Sequence, residues 1–120
     1  MDGVRIALSQ KSIRRHQRIP YAGPVRISWQ GADGQPRYVQ GRCLDVSEGG
    51  LRIESAEPVP VRALIQLNAE RLKISGSATV KHSARRGAKY LLGLELNAAL
   101  LERALRLATE AKAHDHPVPA

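Results

Sequence analysis

The chain has 120 residues, of which 42% are hydrophobic and 25% charged, and this size and composition are those of one ordinary globular domain. A formal net charge of +8 at pH 7 indicates an anionic partner. The one cysteine, Cys43, excludes an internal disulfide. No apolar run is long enough to cross a membrane and the first residues lack an apolar leader, so we expect a cytoplasmic protein.

The N-terminal part of the chain predicts an arm followed by a sheet. Residues 1–20 carry five basic residues against one acid and follow no hydrophobic period, which predicts a basic N-terminal arm. Residues 21–97 contain six short runs in which apolar and polar residues alternate, as in Val25, Ile27 and Trp29 or in the run that starts at Leu72 and Ile74. Turn residues at 31–34 join the first two runs into a predicted hairpin. With no helical pattern between the runs, we predict a mainly β domain, a six-stranded antiparallel β-barrel.

Beyond Asn97 the apolar period changes to that of a helix, predicted over 98–113 with Asn97 as the N-cap. Its apolar stripe must cover either an open end of the barrel or a second subunit, so a homo-oligomer is one possibility. We expect residues 114–120 to form a flexible tail, and His114 and His116 fit such a tail better than a metal site.

Enzyme signatures are missing from the sequence. There is no phosphate-binding P-loop, no G-x-G-x-x-G, no H-E-x-x-H and no G-x-S-x-G motif. We therefore expect a non-catalytic protein without a cofactor or a bound metal.

Two motifs remain that could bind an anion. An R-x-x-x-R spacing runs from Arg14 to Arg18 on the basic arm, and a D-x-S-x-x-G spacing runs from Asp45 to Gly50 between the second and third strands. Alone, a basic cluster is usually solvated and an Asp-x-Ser turn usually bonds its own backbone. The candidate binding residues in these two motifs are Arg14, Arg15, Arg18, Asp45, Ser47, Gly49 and Gly50.

Taken together and in this order, the two motifs resemble those of the PilZ domain family. The resemblance extends from about Arg14 to about Leu107 and includes the glycine-containing last strand around Gly93. An aromatic residue is frequent near the end of that strand in the family, whereas this chain has Leu96. The resemblance implies a six-stranded barrel that binds the bacterial second messenger cyclic di-GMP, and it implies a separate protein partner that reads the signal.

The chemistry of this dinucleotide suits the two motifs. A guanidinium can bond guanine O6 and N7 together, clamp a phosphate or stack on a purine. Asp45 could accept from guanine N1–H or N2–H, Ser47 could bond a base or a phosphate, and Gly50 would let the backbone approach. In the family, the residue before the first arginine is associated with the number of ligands held. Ile13 offers no donor at that position, so we expect one ligand per chain.

Two other functions remain as alternatives. The charge is compatible with a small nucleic-acid-binding barrel, but the few aromatic residues and the clustering of arginine in one arm disfavour DNA or RNA as the partner. A ligand-independent adaptor of the same fold is the second alternative, although such adaptors usually lack these arginines.

Overall fold

The protein forms a closed antiparallel barrel with one C-terminal helix. The computed structural model describes residues 18–115. Its main elements are β1 (Ile19–Gln30), β2 (Pro36–Ser47), β3 (Gly50–Ser55), β4 (Leu64–Ala69), β5 (Ile74–Arg86), β6 (Lys89–Leu96) and α1 (Ala98–Asp115). Around the barrel the strands follow the order β1-β2-β3-β6-β5-β4. The predicted fold class is confirmed.

The barrel interior is filled by the apolar residues of the alternating runs. Val25, Ile27 and Trp29 of β1 are buried and point inward, while their neighbours point outward. The same period buries Ile65 and Leu67 of β4. A core built from Val, Leu and Ile is the result of the low aromatic content.

The first two strands form the predicted hairpin. Its turn is closed by the Gly34 amide, which donates to the carbonyl of Gly31 at 2.9 Å. β1 begins at Ile19, well before the alternating pattern, because residues 19–24 also pair with β2 across a bulge between Pro20 and Gly23. Proline is tolerated there because β4 pairs with β1 only at residues 26–28.

The connection between β4 and β5 differs from the sequence prediction. Glu70–Leu72 form a single turn of 3-10 helix, and Lys73 follows in the left-handed region at φ +51°. The alternating run predicted from Leu72 therefore begins as a strand only at Ile74. Leu72 is still buried, so its apolar character reflects the core and not a strand.

Helix α1 covers the barrel. Its first turn is capped as predicted, because the side-chain oxygen of Asn97 accepts from the Leu100 amide at 2.9 Å. Ala104 and Ala108 are fully buried, and the helix packs mainly on β1 and β5. The barrel, one of the two surfaces predicted to pack against the apolar stripe, thus buries part of it.

The turn between β2 and β3 lies close against β6. Gly50, the first residue of β3, has φ +134°, a conformation that L-residues rarely adopt. A Cβ at this position would overlap the carbonyl oxygen of Leu94. Glycine at position 50 therefore allows the turn to contact β6.

Replacing Gly50 should destabilise the barrel. Overpacking and a strained backbone each cost about 1 to 3 kcal/mol, so we expect Gly50→Ala to lower the free energy of unfolding by at least about 2 kcal/mol. Urea denaturation measures this change. Gly49→Ala is the matched control, because the nearest atom to its Cβ would be Ser47 Oγ at 3.6 Å. Equal stability of the two variants would contradict the close packing of Gly50 against β6.

Candidate functional site

The D-x-S-x-x-G motif forms the tight turn of the β2–β3 hairpin. Ser47 pairs with Gly50 across the turn, and the Gly49 amide donates to Ser47 Oγ at 3.2 Å. The serine therefore stabilises the turn from within, in the manner of an ST turn. Glu48 and Gly49, at the tip, are exposed.

Asp45 is a buried carboxylate held between two arginines. It lies opposite Arg52 in the hairpin register, and Arg52 donates to Oδ2 through Nη2 and through Nε, the latter at 2.9 Å. The other oxygen, Oδ1, lies 3.4 Å from Nη1 of Arg18. Only 8% of the Asp45 side chain is exposed, against 52% for Arg18. Asp45 thus fixes two guanidinium groups beside the turn.

A cleft of about 430 Å³ opens at this place on the barrel surface. One wall consists of the hairpin with its turn and the start of the chain: Arg18, Ser47, Gly49, Gly50, Leu51 and Arg52. The structure therefore brings together four of the residues predicted from the motifs, and Asp45 contributes through the arginines it holds. Arg14 and Arg15 lie outside the described residues.

The opposite wall comes from β5 and β6, and none of the predicted binding residues lies on these two strands. It consists of Lys81, His82, Ala84, Leu91, Gly93, Leu94 and Glu95. β6 reaches the site because it pairs with β3, with Arg52 opposite Gly93. A Cβ on Gly93 would lie only 3.2 Å from Cδ2 of His82. The absence of a side chain at position 93 therefore leaves space for the imidazole.

Arg52 is absent from the predicted binding residues, although the sequence contains enough information to find it. A two-residue turn at Glu48 and Gly49 pairs Ser47 with Gly50 and, two positions further out, Asp45 with Arg52. The hairpin register could thus have paired the acid with its arginine. Lys81, by contrast, lies at a β-bulge between Val80 and His82 that no sequence pattern indicates.

The cleft is predominantly cationic. Arg18, Arg52 and Lys81 contribute positive charge, and the Asp45 carboxylate is covered by its two arginines. Glu95 is the exposed acid of the described lining, and its Oε2 lies 3.8 Å from Nζ of Lys81. Such a site suits an anion that also offers hydrogen-bond donors.

Cys43 lies in the core two residues before Asp45. Burial, with a smaller effect from the Asp45 carboxylate, raises the pKa of its thiol to about 12. The thiol is therefore protonated at neutral pH and is a poor nucleophile. Among residues 18–115 there is no group of three or more His, Cys, Asp or Glu side chains that could hold a metal ion.

The geometry is that of a small barrel with a cationic cleft beside the D-x-S-x-x-G turn. The chain matches the PilZ domain family over residues 12–109, and it belongs to that family. PilZ domains are ligand-binding or adaptor modules, and the family is associated with cyclic di-GMP. No individual curated protein matches the sequence. Within the described part of the chain, no helix has both the length and the hydropathy to traverse a bilayer.

Because the pKa of Cys43 is raised, the free energy of unfolding should vary with pH in the alkaline range. Between about pH 9, where an ordinary thiol ionises, and about pH 12, the folded protein retains a proton that the unfolded chain releases. The free energy of unfolding should therefore fall as pH rises through this window. Cys43→Ala lacks this contribution, so urea denaturation should show its stability approaching that of the unmodified protein as pH rises. A difference that does not vary with pH would contradict the prediction.

Proposed function

We propose that this domain is a receptor for cyclic di-GMP, which binds in the cleft between the β2–β3 turn and the β5–β6 wall. The proposal depends chiefly on the buried Asp45 carboxylate, which holds Arg18 and Arg52 at the edge of that cleft. Two guanidinium groups held in this way match a ligand with two phosphates and two guanines. Arg14 and Arg15, on the same arm as Arg18, would complete the set of cations.

Each predicted residue has a part in this proposal. Arg18 and Arg52 would bond phosphate oxygens or guanine O6 and N7, and Asp45 would act as the positioning residue that orients them. Both Asp45 oxygens already accept from arginine, which supports this role more than a direct contact with guanine. Ser47, Gly49 and Gly50 would supply hydrogen-bonding groups and a backbone free of bulky side chains.

The signal is proposed to be conformational and not catalytic. Ligand bound at Arg18 would order the part of the arm that precedes β1, residues 1–18, against the barrel, and the surface so formed would be read by a separate protein partner in the cytoplasm. Arg18 directly precedes β1, so an anion bound there contacts the junction between arm and barrel. This position supports coupling between the ligand and the arm.

A second groove, of about 380 Å³, is less suited to such a ligand. It lies on the outer face of β1, β2 and β4, and Arg26 is the charged residue among those described that line it. Tyr38 in this groove is 73% exposed, whereas Trp29 is buried and Tyr21 and Tyr90 are half-buried. One exposed aromatic ring is a poor platform for single-stranded nucleic acid, which normally stacks successive bases.

Calorimetric titration with cyclic di-GMP tests the proposed function. We expect saturable binding of one ligand per chain and weak dependence on salt, since few phosphates are contacted. A steep loss of affinity with salt, together with binding of single-stranded nucleic acid, would favour the alternative function. The absence of a binding heat on titration with cyclic di-GMP would reject the proposal.

Removing an arginine of the motif should weaken binding without unfolding the barrel. A charge-assisted hydrogen bond contributes about 1.5 to 3 kcal/mol, so Arg14→Ala and Arg18→Ala should each lower the affinity about tenfold or more. Arg106→Ala, which removes an exposed arginine of α1, is the control and should bind as the unmodified protein does. Thermal unfolding should be nearly the same for all four proteins. Undiminished binding by both motif variants would place the ligand elsewhere.

Ligand binding should protect the amides of the arm. Residues 1–18, which precede β1, follow no apolar period and so offer no continuous apolar face to bury, and the anion would provide most of the free energy that orders them. Hydrogen exchange followed by mass spectrometry should show slower exchange in this segment on addition of cyclic di-GMP. Full protection before ligand is added would contradict this mechanism.

A further inference from the structure

The wall that β6 contributes to the cleft contains one carboxylate. Leu92, Leu94 and Leu96 point into the core, so the alternate residues of β6 point outward. Of these, Gly93 has no side chain, and Glu95 carries the only charge on this stretch of the strand. Gly50 is also close, because its missing side chain lets the turn approach the backbone of residues 94–95. Glu95 therefore stands directly across from the D-x-S-x-x-G turn.

Glu95 differs from Asp45 in how much of its carboxylate is available. Asp45 is 8% exposed and accepts from arginine at both oxygens. The Glu95 side chain is 59% exposed, and its ion pair with Lys81 at 3.8 Å is longer than a hydrogen bond. Of these two carboxylates, Glu95 is therefore the one whose lone pairs a ligand in this cleft can reach.

An accessible carboxylate in a cationic cleft can recognise a ligand group that presents two adjacent hydrogen-bond donors. Guanine presents N1–H and N2–H side by side, and the two oxygens of a carboxylate can accept from both. Adenine has an unprotonated ring nitrogen at the corresponding position, so its lone pair would face the carboxylate. Phosphate groups cannot make this distinction, because they are the same in both dinucleotides.

We propose that Glu95 selects guanine by accepting hydrogen bonds from N1–H and N2–H of one base of the bound dinucleotide. This inference rests on the proposed function. Lys81 would act as a positioning residue, because its ammonium lies beside the carboxylate and offsets the repulsion between Glu95 and the ligand phosphates. The arginines would bind the phosphates and the opposite edge of the base.

A purely structural role for Glu95 predicts a different outcome. An exposed cross-strand ion pair contributes little to stability. Removing its negative charge would then strengthen the binding of every dianionic dinucleotide by the same factor, through reduced repulsion. The preference between bases is therefore the informative measurement, and not the affinity for one ligand.

The experiment compares three cyclic dinucleotides that differ only in their bases. Cyclic di-GMP, cyclic di-IMP, which lacks the 2-amino group, and cyclic di-AMP are titrated calorimetrically into the unmodified protein, Glu95→Gln and Glu102→Gln. Glu102 is an exposed acid of α1, so its substitution makes the same change of charge outside the cleft. We expect Glu95→Gln to reduce the preference for guanine over adenine about tenfold. It should also reduce the preference for cyclic di-GMP over cyclic di-IMP, while Glu102→Gln changes neither.

The two proposals fail in distinguishable ways. If the unmodified protein binds cyclic di-GMP and Glu95→Gln keeps both preferences unchanged, the role of Glu95 is overturned and the proposed function stands. If the unmodified protein binds none of the three ligands, both proposals are overturned. Circular dichroism and thermal unfolding of each variant verify that a loss of binding does not reflect a loss of the fold.

Discussion

The ion pairs of Asp45 are the interaction on which the site depends. A carboxylate that is nearly buried costs several kcal/mol unless it is paired and hydrogen-bonded. Here the partners are Arg52 on the neighbouring strand and Arg18 immediately before β1. The ion pairs that offset the burial of Asp45 therefore connect three segments of the chain. The net stabilisation from such an arrangement is small. Its main effect is to hold the Arg52 guanidinium in place at the surface and to keep that of Arg18 beside it.

Closure of the barrel decides what faces those arginines. β3 and β6 are far apart in sequence, yet they are neighbours in the sheet, and Arg52 lies opposite Gly93. This pairing requires the turn at Gly50 to lie against the β6 backbone, where only glycine fits. The same residue that completes the turn motif therefore both packs against β6 and lines the cleft. The motif thus has a packing role in addition to its proposed role in binding.

Much of the fold was predictable because the barrel buries one face of each strand. That constraint produces the alternation in Val25, Ile27 and Trp29, and the cap at Asn97 is equally local. The start of β1 at Ile19 was not predictable, since the prolines at 20 and 24 resemble a loop and are accepted only because that stretch pairs on one side. The β5–β6 wall could not be predicted either, because it depends on strand order and on a bulge.

The two arginines that contact Asp45 are bound unequally, and this inequality fits the proposed receptor function. Arg52 donates twice to one oxygen and is two-thirds covered, whereas Arg18 makes a single contact at 3.4 Å and is half exposed. The Arg18–Asp45 ion pair is the weaker of the two, because its contact is longer and Arg18 is half exposed. A phosphate in the cleft can therefore compete with Asp45 for Arg18 without displacing Arg52. In the proposed mechanism, a ligand that redirects Arg18 would therefore act on the residue immediately before the Ile19–Val46 pair, at the junction between the arm and the barrel.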